Sequence, residues 1–488
     1  MGALIAVLNK KGKNATETAT AMLKTLKPKR AFAFGIASPS TIKIMKTLDA
    51  LQDVSIDSPI IIGHAFTKIL KTDKPQPIIL KTATLVFEGR TYPSAKKMSD
   101  AEAFARKLRQ NREEAVKTFT RKTEGDFAFA VAEDEKLLAG RDPIGIQPIY
   151  YGENTKYAAL ASERKALWKI KIKTVNSFPP GYVALIDDHG FKFKPIKTLA
   201  HSKPKKITMR TAAKKLRALL RKSTRERVSN LKEAAVAFSG GLDSSITAAL
   251  AKESGVDVRL IHVSLDKQPE TEHAKEAAEA LELPIHIRLY KEEDVKKTLL
   301  QVLWLIEEPD PLKASIGIPI YWAAETTAKM NTKVLLAGQG ADELFGGYKR
   351  YVDDYLQHDS EKARETMFND IVKLHETNLE RDFKICNFHS VELRLPFATW
   401  QIARFAAELP TELKIELFNK EQRKRILRQV AKNLRLPRFI AEKPKKALQY
   451  TTGVSKTLEK LAKKEDLTIK EYLQETFQKL FKRIEDDE

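Results

Sequence analysis

The sequence predicts an α+β domain followed by an α/β domain, on three observations. Short apolar runs punctuated by turns fill the chain up to about residue 199. Strand-like and helix-like segments alternate after residue 207, and a basic stretch without apolar period separates the two parts. In the first part the strand-like runs are 60–62, 78–80, 85–87, 127–131, 157–161 and 182–186, interrupted by one amphipathic helix at 100–108. The boundary falls at 196–206, where Pro204 stands among lysines. The expected domains are residues 1–199 and 207–488.

From Thr208 a helix carries Leu216, Leu219, Leu220 and Val228 at helical spacing, with Lys214, Arg217, Arg221 and Arg225 on its other face. Strands are expected at 234–238, 258–263, 285–289 and 334–337. The intervening helices are 244–253, closed by Gly255, then 270–281, 295–306 and 320–329. Continuous apolar strands separated by helices imply a parallel sheet covered on both faces, whose ligands bind beyond the carboxyl ends of its strands. The segment from Tyr351 onward reads as mostly helical.

The 488 residues, 42% of them hydrophobic, are enough for two or three domains with real cores. A net charge of +22 raises the question of a polyanionic partner, but the charges run in mixed-sign stretches such as 270–282, as on a solvated surface. Nucleic acid is therefore not favoured. The single cysteine, Cys386, excludes an intramolecular disulfide and a cysteine-rich zinc site; a buried, inert thiol in a reducing cytoplasm is expected. No apolar run reaches the roughly 18 residues of a membrane span. Ala6 stands where a myristoylation signal needs Ser or Thr.

The sharpest local signal is residues 239–245, Ser-Gly-Gly-Leu-Asp-Ser-Ser, between a predicted strand and a predicted helix. Gly240 and Gly241 let backbone N–H groups approach an anion, and the helix that follows aims its positive end at the same point. Ser239, Ser244 and Ser245 can donate hydroxyls to phosphate. Asp243 cannot hold an anion directly, so a magnesium ion between carboxylate and phosphate is expected. The lysine-bearing GxxxxGK[ST] pattern is absent. A second glycine-rich segment, 336–348, leaves another predicted strand end and offers Asp342 for the same ion.

The first loop is similar to the pyrophosphate loop of the ATP pyrophosphatases, which cleave ATP between the α and β phosphates. Both loops in this order resemble asparagine synthetase. Two further stretches agree: 381–397, with Val391-Glu392-Leu393-Arg394-Leu395-Pro396-Phe397, and 425–453, with Lys443-Pro444-Lys445-Lys446. The first half resembles the same family's glutaminase domain through Gly63-His64, Gly125-Asp126-Phe127, Gly140-Arg141-Asp142-Pro143 and Pro179-Pro180-Gly181.

The resemblance implies an N-terminal-nucleophile fold of two stacked antiparallel sheets, then an α/β synthetase domain. It also implies aspartate, ATP and ammonia as substrates, with β-aspartyl-AMP as intermediate. Phe238, Val263, Ala337 and Gly338 would hold the adenosine, Asp243 and Asp342 the magnesium, and Lys445 would stabilise charge at the reacting centre. A homodimer is an open expectation.

The sequence also departs from the family. Its glutaminase needs cysteine at position 2, where this chain has Gly2, and a glycine offers no nucleophile. Phe66 replaces the arginine for the glutamine carboxylate, and Glu88 the oxyanion-hole asparagine, while Gly89, Ser99 and Asp100 match. These three losses imply a retired glutaminase and a separate ammonia source. In the synthetase half Gln339 replaces the usual glutamate, and 307–319 does not align without a gap. Adenylation of another carboxylate, as in β-lactam synthetases, tRNA modification, and a non-catalytic scaffold are the alternatives.

Overall fold

The computed structural model describes residues 2–486 except 27, 28, 30, 52, 53, 96, 109, 110, 417–422 and 445–447. The chain forms two compact units. One is Met1–Thr198 with Asn387–Glu392 and Arg483–Glu488, the other Leu199–Cys386 with Leu393–Lys482.

The first unit holds a seven-stranded and a six-stranded sheet. Every assigned pairing within the two is antiparallel. Strand Gly2–Asn9 lies inside the first sheet, between Tyr157–Ala161 and Ile60–Phe66. Successive side chains of a strand point to opposite faces, and here both faces are buried. Leu4, Ala6 and Leu8 pack with Val86, Ala128, Ala130 and Ala139 of the second sheet. Ala3, Ile5 and Val7 pack instead on Ala19, Met22 and Leu23 of helix Thr16–Thr25. On the far face of the second sheet, Phe87, Phe127 and Phe129 meet Phe104 and Phe119 of helices Asp100–Lys107 and Arg112–Lys122. The layers are thus helix, sheet, sheet, helix.

The sequence predicts one helix in this unit, at 100–108. Helices Thr16–Thr25, Arg112–Lys122 and Arg164–Lys169 are additional. Their apolar residues are few and small or widely spaced, so the stripe that marks a helix in sequence is thin, and packing on the sheets decides.

The second unit carries a five-stranded sheet in the order Ile285–Tyr290, Asp257–Leu265, Glu233–Ala237, Val334–Leu336, Glu392–Arg394. The first four strands pair in parallel. Two elements depart most from expectation. Helix Pro311–Lys329 begins nine residues earlier than predicted, because Asp310 caps the Lys313 N–H and Pro311 occupies the first helical position. Strand Glu392–Arg394 falls where helix was expected; three residues are too few to display a period. Among the described residues no helix is long and apolar enough to cross a membrane. Cys386 is buried, and burial and Asp382 push its thiol well above the ordinary range.

Within the first unit Arg90 is the hub of a buried charge cluster. It donates to both oxygens of Asp73 at 2.6 and 2.8 Å and twice to Glu392 at 2.9 and 2.7 Å, with Asp100 3.7 Å away. Burial alone would raise the Asp73 carboxyl, but the Arg90 guanidinium holds it well below the usual carboxylate range. Removing one partner of such a group leaves uncompensated buried charge. Arg90→Met is therefore expected to lower the unfolding free energy by about 3–5 kcal/mol, read from the urea midpoint. A midpoint within error of the unmodified protein would contradict this.

Candidate functional site

Because strands Asp257–Leu265, Glu233–Ala237 and Val334–Leu336 run parallel, their carboxyl ends lie on one edge of the sheet, where they deliver Val263, Phe238 and Gly338. There they border a cavity of about 510 Å³. Phe238, Ser239, Gly241, Asp243, Ser244, Val263, Gly338, Gln339 and Asp342 line it, whereas Gly240, Ser245 and Ala337 stand behind the wall.

The loop closes on itself through its serines. The Ser239 N–H donates to Ser244 Oγ at 3.3 Å, the Gly241 N–H to Ser239 Oγ at 3.3 Å, and the Ser244 hydroxyl to the Gly241 carbonyl at 3.2 Å. His273 Nε2 donates to the Gly240 carbonyl at 2.9 Å, and burial holds this imidazole below its ordinary range, uncharged at neutral pH. Helix Leu242–Glu253 then starts at Gly241 with no side-chain cap, so the partial positive charge of its first turn is turned toward the cavity.

Asp243 and Asp342 come together, as the sequence predicted, but around a residue it missed. Lys424 Nζ lies 2.5 Å from Asp243 Oδ2 and 2.7 Å from Asp342 Oδ1. The lysine is buried. Burial disfavours its charge, yet the two carboxylates outweigh that and raise its pKa above the ordinary lysine value. Gly347 makes the arrangement possible: a Cβ there would stand 1.8 Å from Asp342 Oδ1 and 2.6 Å from the Lys424 Cε. Asp243 Oδ1 is buried with no hydrogen-bond partner among the described residues. Among the described residues no group of three or more His, Cys, Asp or Glu could hold a metal ion, so a metal here would need ligands from a bound anion.

A second polar cluster adjoins this one. The Tyr348 hydroxyl donates to Glu343 Oε1 at 2.5 Å, and Asn378 Nδ2 donates to the same oxygen at 2.7 Å. The Tyr351 hydroxyl and Arg350 donate to Asp370 at 2.5 and 2.6 Å. Arg381 and Arg428 also line the cavity, as do Lys443 and Pro444. Lys445 lies outside the described residues.

In the first unit, the residues expected at a glutaminase pocket contact the chain's own groups. The Gly2 N–H donates to Glu88 Oε2 at 2.9 Å, His64 Nε2 contacts Glu88 Oε1, and Asn387 Nδ2 donates to the Gly2 carbonyl at 2.7 Å. Phe66 is buried beside His64, with ring centroids 6.2 Å apart. A Cβ on Gly2 would stand 1.7 Å from the Ala65 carbonyl oxygen, so the backbone admits no side chain there. Gly89 pairs with Phe127 in the second sheet, and Asp100 accepts the Thr91 hydroxyl at 2.6 Å.

Lys424→Met would leave two carboxylates facing each other without their cation. Magnesium is expected to raise the melting temperature of that variant by more than it raises that of the unmodified protein; equal responses would contradict the pairing.

Similarity to known proteins covers most of the chain. The asparagine synthase family model matches residues 215–363 and 353–486, and a glutamine amidotransferase domain model matches 66–169. A Methanocaldococcus jannaschii protein named as a candidate asparagine synthetase (glutamine-hydrolysing) 1 is 33% identical over 389 residues, covering 70% of this chain and 71% of its own. Asparagine synthetase (glutamine-hydrolysing) 1 of Bacillus subtilis is 31% identical over 284 residues, 52% of this chain and 44% of its own. Asparagine synthetase B (glutamine-hydrolysing) of Escherichia coli is 27% identical over 348 residues, 68% and 61% respectively. The match thus spans less than two thirds of the two bacterial relatives. With an amidotransferase-type double sheet followed by a parallel sheet that presents this loop, the chain belongs to the asparagine synthase family.

Proposed function

We propose that the protein is an AMP-forming amide ligase that activates the side-chain carboxylate of aspartate with ATP and transfers the acyl group to ammonia. The observation that carries the reading is the convergence of Asp243, Asp342 and Lys424 beside the 239–245 loop. A carboxylate oxygen attacks the α-phosphorus, the bond to the bridging oxygen of the β-phosphate breaks, and pyrophosphate leaves with the electron pair. The leaving group gathers negative charge, which preorganised donors stabilise more in the transition state than in the ground state. Those donors are the N–H groups at the start of helix Leu242–Glu253, the hydroxyls of Ser239 and Ser244, and the Lys424 ammonium, whereas Ser245, expected to join them, is buried behind the wall.

The residues fit magnesium. Asp243 with an oxygen unpartnered among the described residues, together with Asp342, would hold the ion through the two carboxylates that such sites use beside substrate phosphates, and the ion would supply neutralisation of the polyphosphate. Phe238, Val263 and Gly338 would hold the adenosine, whereas Ala337, expected beside them, is buried behind the wall. Lys445 keeps its proposed part in stabilising charge at the reacting centre. Gln339 lines the cavity with hydrogen-bonding reach but no charge, which favours testing other carboxylates beside aspartate.

The nitrogen comes from free ammonia or from a partner. Gly2 supplies no nucleophile, a side chain there would meet Ala65, and the Glu88 carboxylate occupies the place where negative charge would have to develop. Burial opposes ionisation of Glu88, but contacts that include His64 and the Gly2 amide outweigh it and lower its pKa.

ATP–pyrophosphate exchange against a panel of carboxylates, with bulk tRNA included, tests the reading. Aspartate is expected to support exchange, and Asp243→Ala to abolish it. Exchange that depends on tRNA alone, or survives in Asp243→Ala, would contradict it. Glutamine is expected to give no glutamate with either the unmodified protein or Gly2→Cys; glutamate release by the unmodified protein would contradict the retired glutaminase.

A further inference from the structure

The phosphate loop depends on which way one peptide faces. Gly241 lines the cavity, whereas Gly240 stands behind its wall. A trans peptide carries its C=O and N–H on opposite sides. His273, which does not line the cavity, donates to the Gly240 carbonyl at 2.9 Å. The N–H of the same peptide, on Gly241, accordingly turns the other way. It meets Ser239 Oγ at 3.3 Å, and Ser239 is part of the cavity wall.

The two glycines do not fix that orientation themselves. Gly240 stands at φ 70°, and a peptide between two residues without Cβ meets little steric resistance to reversal. Reversal would put a carbonyl oxygen where the N–H stood, and its partial negative charge would face an anion in the cavity. The imidazole opposes this. A neutral imidazole has one N–H to give, and here it goes to the Gly240 carbonyl. The approach is close: a Cβ on Gly240 would stand 2.9 Å from His273 Cδ2 and 3.0 Å from the Ala274 Cα. His273 lies in the first turn of helix Glu270–Ala280, and its ring meets Phe439 edge-on with centroids 5.8 Å apart. The donor is therefore itself set by packing.

We propose that His273 is a positioning residue for the polyphosphate: it locks the Gly240–Gly241 peptide with its N–H toward the cavity, where the departing pyrophosphate would be held. The histidine acts through the peptide and touches no reacting atom. Without the lock the two peptide orientations come closer in population, and an anion binds only the fraction with the N–H turned inward. Pyrophosphate and ATP then both bind more weakly, while aspartate is unaffected. The identity of the ligand rests on the adenylation reading; the lock itself rests on the geometry of the loop.

Two measurements on the full-length protein keep these apart. Calorimetric titration with magnesium pyrophosphate needs no turnover, and ATP–pyrophosphate exchange with aspartate reports the reaction. His273→Phe keeps a ring against Phe439 and removes the donor, whereas His273→Gln keeps an N–H that can reach the carbonyl. In His273→Phe, or in His273→Ala if that variant does not fold, pyrophosphate is expected to bind about 10-fold more weakly. The apparent KM for ATP and pyrophosphate is expected to rise alike, with the KM for aspartate unchanged. His273→Gln is expected to bind pyrophosphate within about threefold of the unmodified protein. Unchanged pyrophosphate binding in His273→Phe, equal losses in His273→Phe and His273→Gln, or a parallel rise in the KM for aspartate would overturn the lock and leave the adenylation reading standing. Pyrophosphate binding without exchange in the unmodified protein would overturn the adenylation reading alone, and absence of both would overturn both.

Discussion

A single buried ammonium, Lys424, between Asp243 and Asp342 is the constraint on which the candidate site depends. The two carboxylates arrive from separate strand ends about 100 residues apart in sequence, and like charges brought into a partly buried space repel unless a counter-charge stands between them. Lys424 supplies it at the cost of desolvation and of a left-handed backbone, φ 63°, that a side-chain-bearing residue adopts reluctantly. Gly347 supplies the room. The same charge cluster that holds the apo site together is the one a polyphosphate and its magnesium would meet, so stability and ligand chemistry share the same atoms.

The first unit makes the complementary point about fold and function. Its helix, sheet, sheet, helix layering is assembled from alternating apolar residues on both faces of strand Gly2–Asn9 and needs no catalytic group. A fold persists through its packing, and chemistry resides in a site placed upon it. Here Glu88, Phe66 and Arg90 are buried, and each meets a neighbour within the unit. The buried cluster around Arg90 also holds Glu392, the last residue of the 387–392 stretch that belongs to this unit.

The parallel sheet and the phosphate loop were legible in the sequence because both depend on short-range patterns: apolar runs of strand length, and two glycines with serines at a strand-to-helix turn. The double sheet was legible as many short runs, and its N-terminal-nucleophile character followed from the resemblance alone. Lys424 was illegible for a physical reason. It stands between Arg423 and Arg425, in a chain rich in cations, and only the fold selects which of three adjacent charges turns inward. The left-handed turn before helix Arg425–Asn433 makes that selection. The pairing of Tyr348 with Glu343 was hidden likewise: both belong to the quoted 336–348 segment, yet their contact depends on the short helix Ala341–Phe345 ending at Gly346 and turning the chain back. Asp310 and Pro311 did carry a helix-start signal that could have been read.

On the proposed reading, a nucleoside triphosphate held at residues 239–245 is broken between its α and β phosphates, and phosphorus NMR of the products formed from ATP and magnesium with aspartate and ammonium distinguishes the outcomes. Resonances of AMP and pyrophosphate in equal amounts are the predicted result, and ADP with orthophosphate would contradict it.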